Sequence, residues 1–368
     1  MTSAKPFPFR ALAAAVLFAG ATAAIVPAAS AAPEYSAIVL DARTGEVLLN
    51  DQADAERYPA SLTKMMTLYM LFDAIRRGEL SMDSRLTASR TAAHQQPSRL
   101  GLRRGDSIDV DQAIRALVVQ SANDVATMVA ERLGGSESRF AESMTARARQ
   151  IGMTDTRFVN ATGLPDVRHH STAHDMATLA LALWHDYPQY YHYFETPSFA
   201  WRRFYGRNHN HLLGQVQGLD GIKTGYTRMS GFNLATSTER QGHRVIVVVM
   251  GGETAAARDA QVSYLIDGAF EEYARRDGGE NAQLASMPLN RLDVNLAPGV
   301  LSASNAAAPR AATPTPYGPA QGTVVETLSP VRAPLPANRQ AANDDNSTEE
   351  PDDAASAASS PAAGPAQR

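Results

Sequence analysis

The sequence predicts an α+β domain: one mainly antiparallel sheet assembled from the two ends of the folded core, helices on its faces, and a helical subdomain beside it. Three observations carry that expectation. Extended segments occur at residues 36–49 and return at 221–250. Between them, from Ser61 to about His185, apolar residues recur at three- and four-residue spacing, as in Ile114, Leu117, Val118 and in Leu179, Leu183. Val245 to Val249 is a continuous β-branched run.

Met1 to Ala31 carries two early positive charges, Lys5 and Arg10, then an apolar run from Ala11 to Val26, and ends in Ala29-Ser30-Ala31, a small-x-small cleavage pattern. Residues 1–31 are therefore expected to be a secretory signal peptide, cleaved from a soluble, periplasmic chain. The run is short and weakly apolar beside the ~20 residues of a spanning helix. Ser36 to Leu40 and Glu46 to Leu49 are expected to pair as a hairpin across Asp41-Ala42-Arg43-Thr44-Gly45. The helical stretch follows, then strands at Gly221 to Tyr226, Gly231 to Ser237 and Arg244 to Met250, and a closing helix from after Glu253 to about Tyr273. These elements form one domain, residues 32–278. Residues 279–297 are ambiguous, with alternation over Arg291 to Leu296 that suits a short strand. Of the 21 prolines, 11 fall in residues 298–368 among Ala, Ser, Asn and Asp, a composition too poor in apolar surface to fold. That tail is expected to be disordered, and its end shows no amphipathic face that would make a C-terminal membrane anchor.

Composition removes several chemistries. With Cys 0 there is no disulfide framework, thiolate metal site or cysteine nucleophile, and a net charge of −4 lacks the positive field that nucleic acid requires. Of 34 basic residues only Lys5, Lys64 and Lys223 are lysines. Arginine serves as well on a solvated surface but cannot give up its proton, so lysines retained among so many arginines are candidates for chemistry.

Ser61-Leu62-Thr63-Lys64 follows Pro59-Ala60 and opens an apolar helix. Residues three apart share a helix face, so hydroxyl and amine can meet there, and burial would lower the lysine's pKa toward that of a usable base. A serine activated by a neutral lysine is a known route to acyl transfer. Ser-x-x-Lys by itself also describes an ordinary N-cap serine. Two more motifs change the weighting: Ser121-Ala122-Asn123 at the end of the apolar helix Ile114 to Val119, and Lys223-Thr224-Gly225 on an expected strand.

The set resembles the penicillin-recognising serine acyltransferases, and more closely the low-molecular-mass D-alanyl-D-alanine carboxypeptidases of peptidase family S11. The likeness runs through Tyr58 to Thr67, Ser121 to Asp124, Phe158-Val159-Asn160 with Gly163-Leu164, Ser171-Thr172-Ala173, Asn208-His209-Asn210 and Asp220 to Gly225 with Gly231-Phe232-Asn233. It implies the fold of serine β-lactamases and penicillin-binding proteins, and removal of the terminal D-alanine from peptidoglycan stem peptides through an acyl-enzyme that β-lactams also form. It implies no metal and no cofactor. On these positions Ser61 would be the nucleophile, Lys64 the general base, and Ser121, bonded to Lys64 and Lys223, a proton relay. Asn123 would hold the substrate amide. Lys223, Thr224 and Gly225 would bind at the terminal carboxylate, with Arg258, before the closing helix, as a second contact. The N–H groups of Ser61 and Tyr226 would form the oxyanion hole. Two departures stand out: His209 occupies the middle of a motif usually read as Asn-Arg-Asn, and the tail replaces a β-rich second domain.

Other readings compete with this one. A class A β-lactamase needs a Glu-x-x-x-Asn type loop, absent between Ser121 and Lys223. A zinc peptidase would draw on His169, His170, His174 and His209-x-His211, but the His170 to His174 pair has Ser171 where the metalloprotease glutamate would stand. A binding module that had lost turnover would be expected to lack one of Ser61, Lys64 or Lys223. A D,D-endopeptidase acting on crosslinks uses the same groups and stays open.

Overall fold

Strands β1 (Ser36–Asp41) and β2 (Val47–Asp51) form the expected hairpin. Its turn passes through Gly45 at φ +74°, and Asp41 Oδ1 accepts from the N–H groups of Arg43 and Thr44. In this computed structural model residues 1–2 and 33–279 are described, all in the first of two units of the chain, Met1–Gly318. The second unit, Pro319–Arg368, lies outside the described residues, as do most of the expected signal peptide, the expected strand at Arg291 to Leu296 and the whole tail from Pro298.

A 3-10 turn, Ala60–Leu62, leads into α1 (Thr63–Arg76). The chain continues through β3 (Arg85–Thr87), α2 (Arg90–Ala93), β4 (Ser107–Asp109), α3 (Val110–Arg115), a π-helical turn Ala116–Gln120, α4 (Asn123–Gly134), α5 (Glu137–Gln150), α6 (Ala173–Asp186) and α7 (Pro188–Tyr191). After a second 3-10 turn, His192–Glu195, come β5 (Ser198–Trp201), β6 (Phe204–Arg207), β7 (Leu219–Thr227), β8 (Gly231–Arg240), β9 (His243–Gly252) and α8 (Ala255–Asp277), the last capped by the Thr254 hydroxyl on Ala257 N.

The main sheet has the order β2-β1-β9-β8-β7, every neighbour antiparallel. The two ends of the core therefore meet at its centre, where Ser36 pairs with Met250 and Leu40 with Ile246. Alternate residues of these strands enter different cores. Ile38, Leu40, Ile246 and Val248 face α6, whereas Ala37, Val39, Val245 and Val247 face α8. Burial on both faces explains the unbroken β-branched run in β9. Helix α1 is apolar nearly all round, with Met65, Met66, Leu68, Leu71 and Phe72 fully buried, because helices enclose it on one side and the sheet on the other.

Two parts of the structure differ from the sequence expectation. The small sheet β3–β4 interrupts the stretch expected to be helical. Each strand is three residues with one buried side chain, Leu86 or Ile108, too short to register as alternation. The β5–β6 hairpin was not anticipated, because its Gly and Arg content weakens the strand signal of Phe199, Trp201 and Phe204.

Candidate active site

Ser61 lies in the 3-10 turn, one step before α1, and not within the α-helix itself. Ala60 just before it has φ +48°, a left-handed conformation that costs a non-glycine residue energy and is held only by its surroundings. Those surroundings are visible. Asn233 on β8 donates its amide to Tyr58 O at 2.9 Å and Pro59 O at 3.1 Å, and accepts from Gly251 N. A Cβ on Gly225 of β7 would stand 3.0 Å from Pro59 O and 3.0 Å from Ser61 N, so only glycine allows the strand this close to the serine backbone. On the opposite side Gly163, at φ +78°, presses on Ala60 O, where a Cβ would come within 1.8 Å.

One turn after Ser61, at the second residue of α1, the fully buried Lys64 places Nζ 3.1 Å from Ser61 Oγ, 2.8 Å from Asn123 Oδ1 and 2.6 Å from Thr162 O. The two oxygens of Asn123 and Thr162 can only accept, so each must take an N–H of the amine. A neutral amine has two N–H bonds, which leaves its lone pair for the Ser61 hydroxyl. Burial first, and then the charge of Lys223, hold the Lys64 pKa well below its ordinary value, against the opposing pull of Asp124 and Glu137. The geometry and the electrostatics thus both prepare this amine to accept a proton from Ser61.

The loop that supplies Thr162 O is built by one side chain. Asn160 Oδ1 accepts from Thr162 N at 3.2 Å, Thr162 Oγ1 at 3.0 Å and Gly163 N at 2.7 Å, while its amide donates to Leu164 O at 3.0 Å. His169 braces the same region. Its Nδ1 accepts from Val159 N, so Nε2 carries the proton that it donates to Thr63 Oγ1 at 2.9 Å. Burial lowers the His169 pKa to about 4. The sequence marked Asn160 only as part of a resemblance, because its role is made of backbone contacts that no spacing rule encodes.

Ser121 follows the π-helical turn in a left-handed conformation, φ 56° and ψ 38°, and not at the end of a regular α-helix. It stands beside the same groove as Ser61, but the bonds expected from it to Lys64 and Lys223 are not formed. Its Oγ is buried without a hydrogen-bond partner among the described residues. The reason is competition: Lys64 is taken by Ser61, Asn123 and Thr162, and Lys223 Nζ donates to Thr224 O at 2.9 Å. Asn123 was expected to hold substrate amide, yet its oxygen meets Lys64 and its Nδ2 donates to Gln96 O. Its neighbour Asp124 gathers the N–H groups of Leu100, Gly101 and Leu102, which fixes the groove wall.

The groove, about 780 Å³, runs between this wall and β7, an edge strand, and among the described residues no aspartate or glutamate lines it. Thr224, Gly225 and Tyr226 line the β7 side, with Tyr226 stacked on Phe232 at 4.2 Å. Lys223 itself points into the protein and is buried. Burial, followed by the Arg258 charge, brings its pKa to about 7. Arg258 also lines the groove; it sits inside the first turn of α8 and not before that helix, donating to Asn233 O at 3.0 Å and pairing with Asp259. The histidines singled out in the sequence do not converge: His170 lies 4.0 Å from Glu56, His174 pairs with Asp54, and His211 with Asp259. His209 faces the groove, and burial together with the Lys223 charge lowers its pKa to about 4.

An antiparallel five-stranded sheet flanked by helices, with serine and lysine meeting one turn apart at its edge, is the architecture of the penicillin-binding proteins and serine β-lactamases. Penicillin-binding protein 6B from Escherichia coli superposes with a TM-score of 0.61 at 33% identity, covering 66% of this chain and 79% of that one. Penicillin-binding protein D2 from Listeria monocytogenes, in its cefotaxime-bound form, gives 0.56 at 32% identity over 62% of this chain and 96% of that one. The D-alanyl-D-alanine carboxypeptidase DacF of Bacillus subtilis is 33% identical over 250 residues, which is 65% of this chain and 62% of the relative's length. The family model for peptidase S11, D-alanyl-D-alanine carboxypeptidase, matches residues 22–254. The chain belongs to that family.

Proposed function

We propose that the protein is a serine D-alanyl-D-alanine carboxypeptidase that acts on peptidoglycan stem peptides in the periplasm, after export by a cleaved signal peptide, and is acylated by β-lactams. The observation that carries this reading is the Lys64 amine, buried, depressed in pKa and 3.1 Å from Ser61 Oγ, where its neutral form leaves the lone pair for the serine hydroxyl. Ser61 attacks the carbonyl of the penultimate D-alanine as its proton passes to Lys64. The Ser61 and Tyr226 N–H groups receive the oxyanion. The unpartnered Ser121 hydroxyl is free to pass a proton to the departing amine. The D-alanine carboxylate is drawn to a groove that no acidic side chain lines among the described residues by Arg258 at its wall, with the Lys223 charge behind Thr224 and Gly225. Water then releases the shortened peptide. The cefotaxime-bound relative supports the β-lactam part of this reading.

Mass spectrometry after labelling with penicillin should find one covalent adduct, on Ser61, and the Ser61→Ala variant should neither label nor release D-alanine from a pentapeptide ending in D-Ala-D-Ala. An adduct on another serine would overturn the nucleophile assignment. Running a crosslinked dimer beside the pentapeptide separates carboxypeptidase from endopeptidase action, and rapid release of hydrolysed penicillin would mark a β-lactamase instead.

A further inference from the structure

The β5–β6 hairpin carries a surface that the catalytic reading does not use. Its strands pair Ala200 with Tyr205 and Trp201 with Phe204, so the turn consists of Arg202 and Arg203. Turns of this kind favour Asn or Gly where φ is positive, yet Arg202 sits there at φ 52°. Arg202, Arg203 and Arg207 are exposed, and Tyr205 is 65% exposed, while Trp201 and Phe204 rest on the core beneath. The hairpin is joined to a second basic segment, because Arg202 pairs with Asp106 at 2.9 Å. That loop holds Arg99, Arg103 and Arg104, all exposed. Across residues 97–108 and 198–211 there are six arginines against one acid, Asp106, and that acid is already paired. The surface adjoins the groove: a Cβ on Gly206 would meet Gln120 Oε1 at 3.0 Å, and Gln120 and Arg99 both line the groove.

We propose that this surface docks the enzyme on a bilayer containing anionic phospholipids, with the groove mouth beside it. Charge complementarity selects an anionic partner. The form of the surface selects a bilayer, since the arginines lie around a hairpin turn next to an exposed tyrosine and a half-buried tryptophan, the mix of cation and amphipathic ring that suits a headgroup layer. A linear polyanion would instead be held along a channel of cations and would gain little from Tyr205.

Co-sedimentation of the full chain with vesicles of phosphatidylcholine plus phosphatidylglycerol, against vesicles of phosphatidylcholine alone, tests this. Binding should favour the anionic vesicles and weaken steeply with added salt. Arg104→Gln, Arg203→Gln and Arg207→Gln combined should weaken it about a hundredfold, at about fivefold for each arginine. Tyr205→Ser should weaken it severalfold without changing the salt dependence. Wild type and variants share residues 11–26, so the difference between them reads this surface and not the apolar N-terminal run. If the triple variant does not fold, as judged by thermal unfolding, Arg103→Gln with Arg104→Gln tests the same surface from the separate loop. Equal binding by wild type and variants overturns the proposal. So does binding of soluble polyphosphate that matches the vesicles in strength and is indifferent to Tyr205.

Discussion

Gly163→Ala should cripple acylation through a contact that lies outside the three catalytic motifs. At φ +78° an alanine is disfavoured by roughly 1–2 kcal/mol. The larger effect is contact: its Cβ would stand 1.8 Å from Ala60 O, and relief even to 3.0 Å requires a shift of 1.2 Å. Neither partner can yield cheaply, because one is the backbone that carries Ser61 and the other is the loop whose Thr162 O holds Lys64 Nζ at 2.6 Å. A displacement of about 1 Å between reacting groups costs on the order of a hundredfold in rate. Gly78 supplies the control, since it has φ +74° and nothing within 4 Å of its would-be Cβ. Gly78→Ala should therefore show the conformational cost alone, a fall of about 2–8 °C in Tm, with acylation unchanged. The assay is the second-order rate of labelling by a fluorescent penicillin, beside thermal unfolding of both variants. Gly163→Ala acylating within about threefold of wild type would refute the argument that this loop sets the Ser61–Lys64 geometry.

Lys64→Arg should leave less than about a tenth of wild-type acylation, because guanidinium keeps its charge but cannot take the Ser61 proton; retention of more would remove Lys64 from the role of base. Lys223, with a pKa of about 7, loses its charge as pH rises through that value, so kcat/KM for a peptide ending in a carboxylate should fall above it while an amidated peptide shows no such limb. Identical alkaline limbs would contradict the carboxylate role. The same depression below 10.5 means that the unfolded chain holds more protons between the two values, so the Lys223 contribution to stability should rise with pH from about 7 to 10.5, read as wild type against Lys223→Met in urea unfolding. Truncation after Ala297 should keep carboxypeptidase activity and Tm, since α8 ends at Asp277 and every site residue precedes it; loss of either would show that the tail is structural. Truncation after Gly279 asks in addition whether residues 280–297 support the fold.

Much of this protein was legible in its sequence because the signals were local or periodic. The β1–β2 turn needs a glycine at positive φ and the β9 run is unbroken in β-branched residues; each is written in a few adjacent residues. The retention of Lys64 and Lys223 among arginines singled out, in the same way, two lysines that the fold buries. The short strands β3 to β6 escaped because three or four residues do not establish a period. What the tertiary structure alone decided is who holds whom. Ser121 was expected to bond both lysines, yet Lys64 binds Asn123 and a carbonyl from the 160–164 loop, about a hundred residues along the chain. Asn233 and Gly225, on neighbouring strands, fix the backbone before Ser61 from more than 160 residues away. Side-chain type can be read from a sequence, but a buried amine chooses its acceptors by distance and direction after packing has placed the backbone, and only the folded chain defines those.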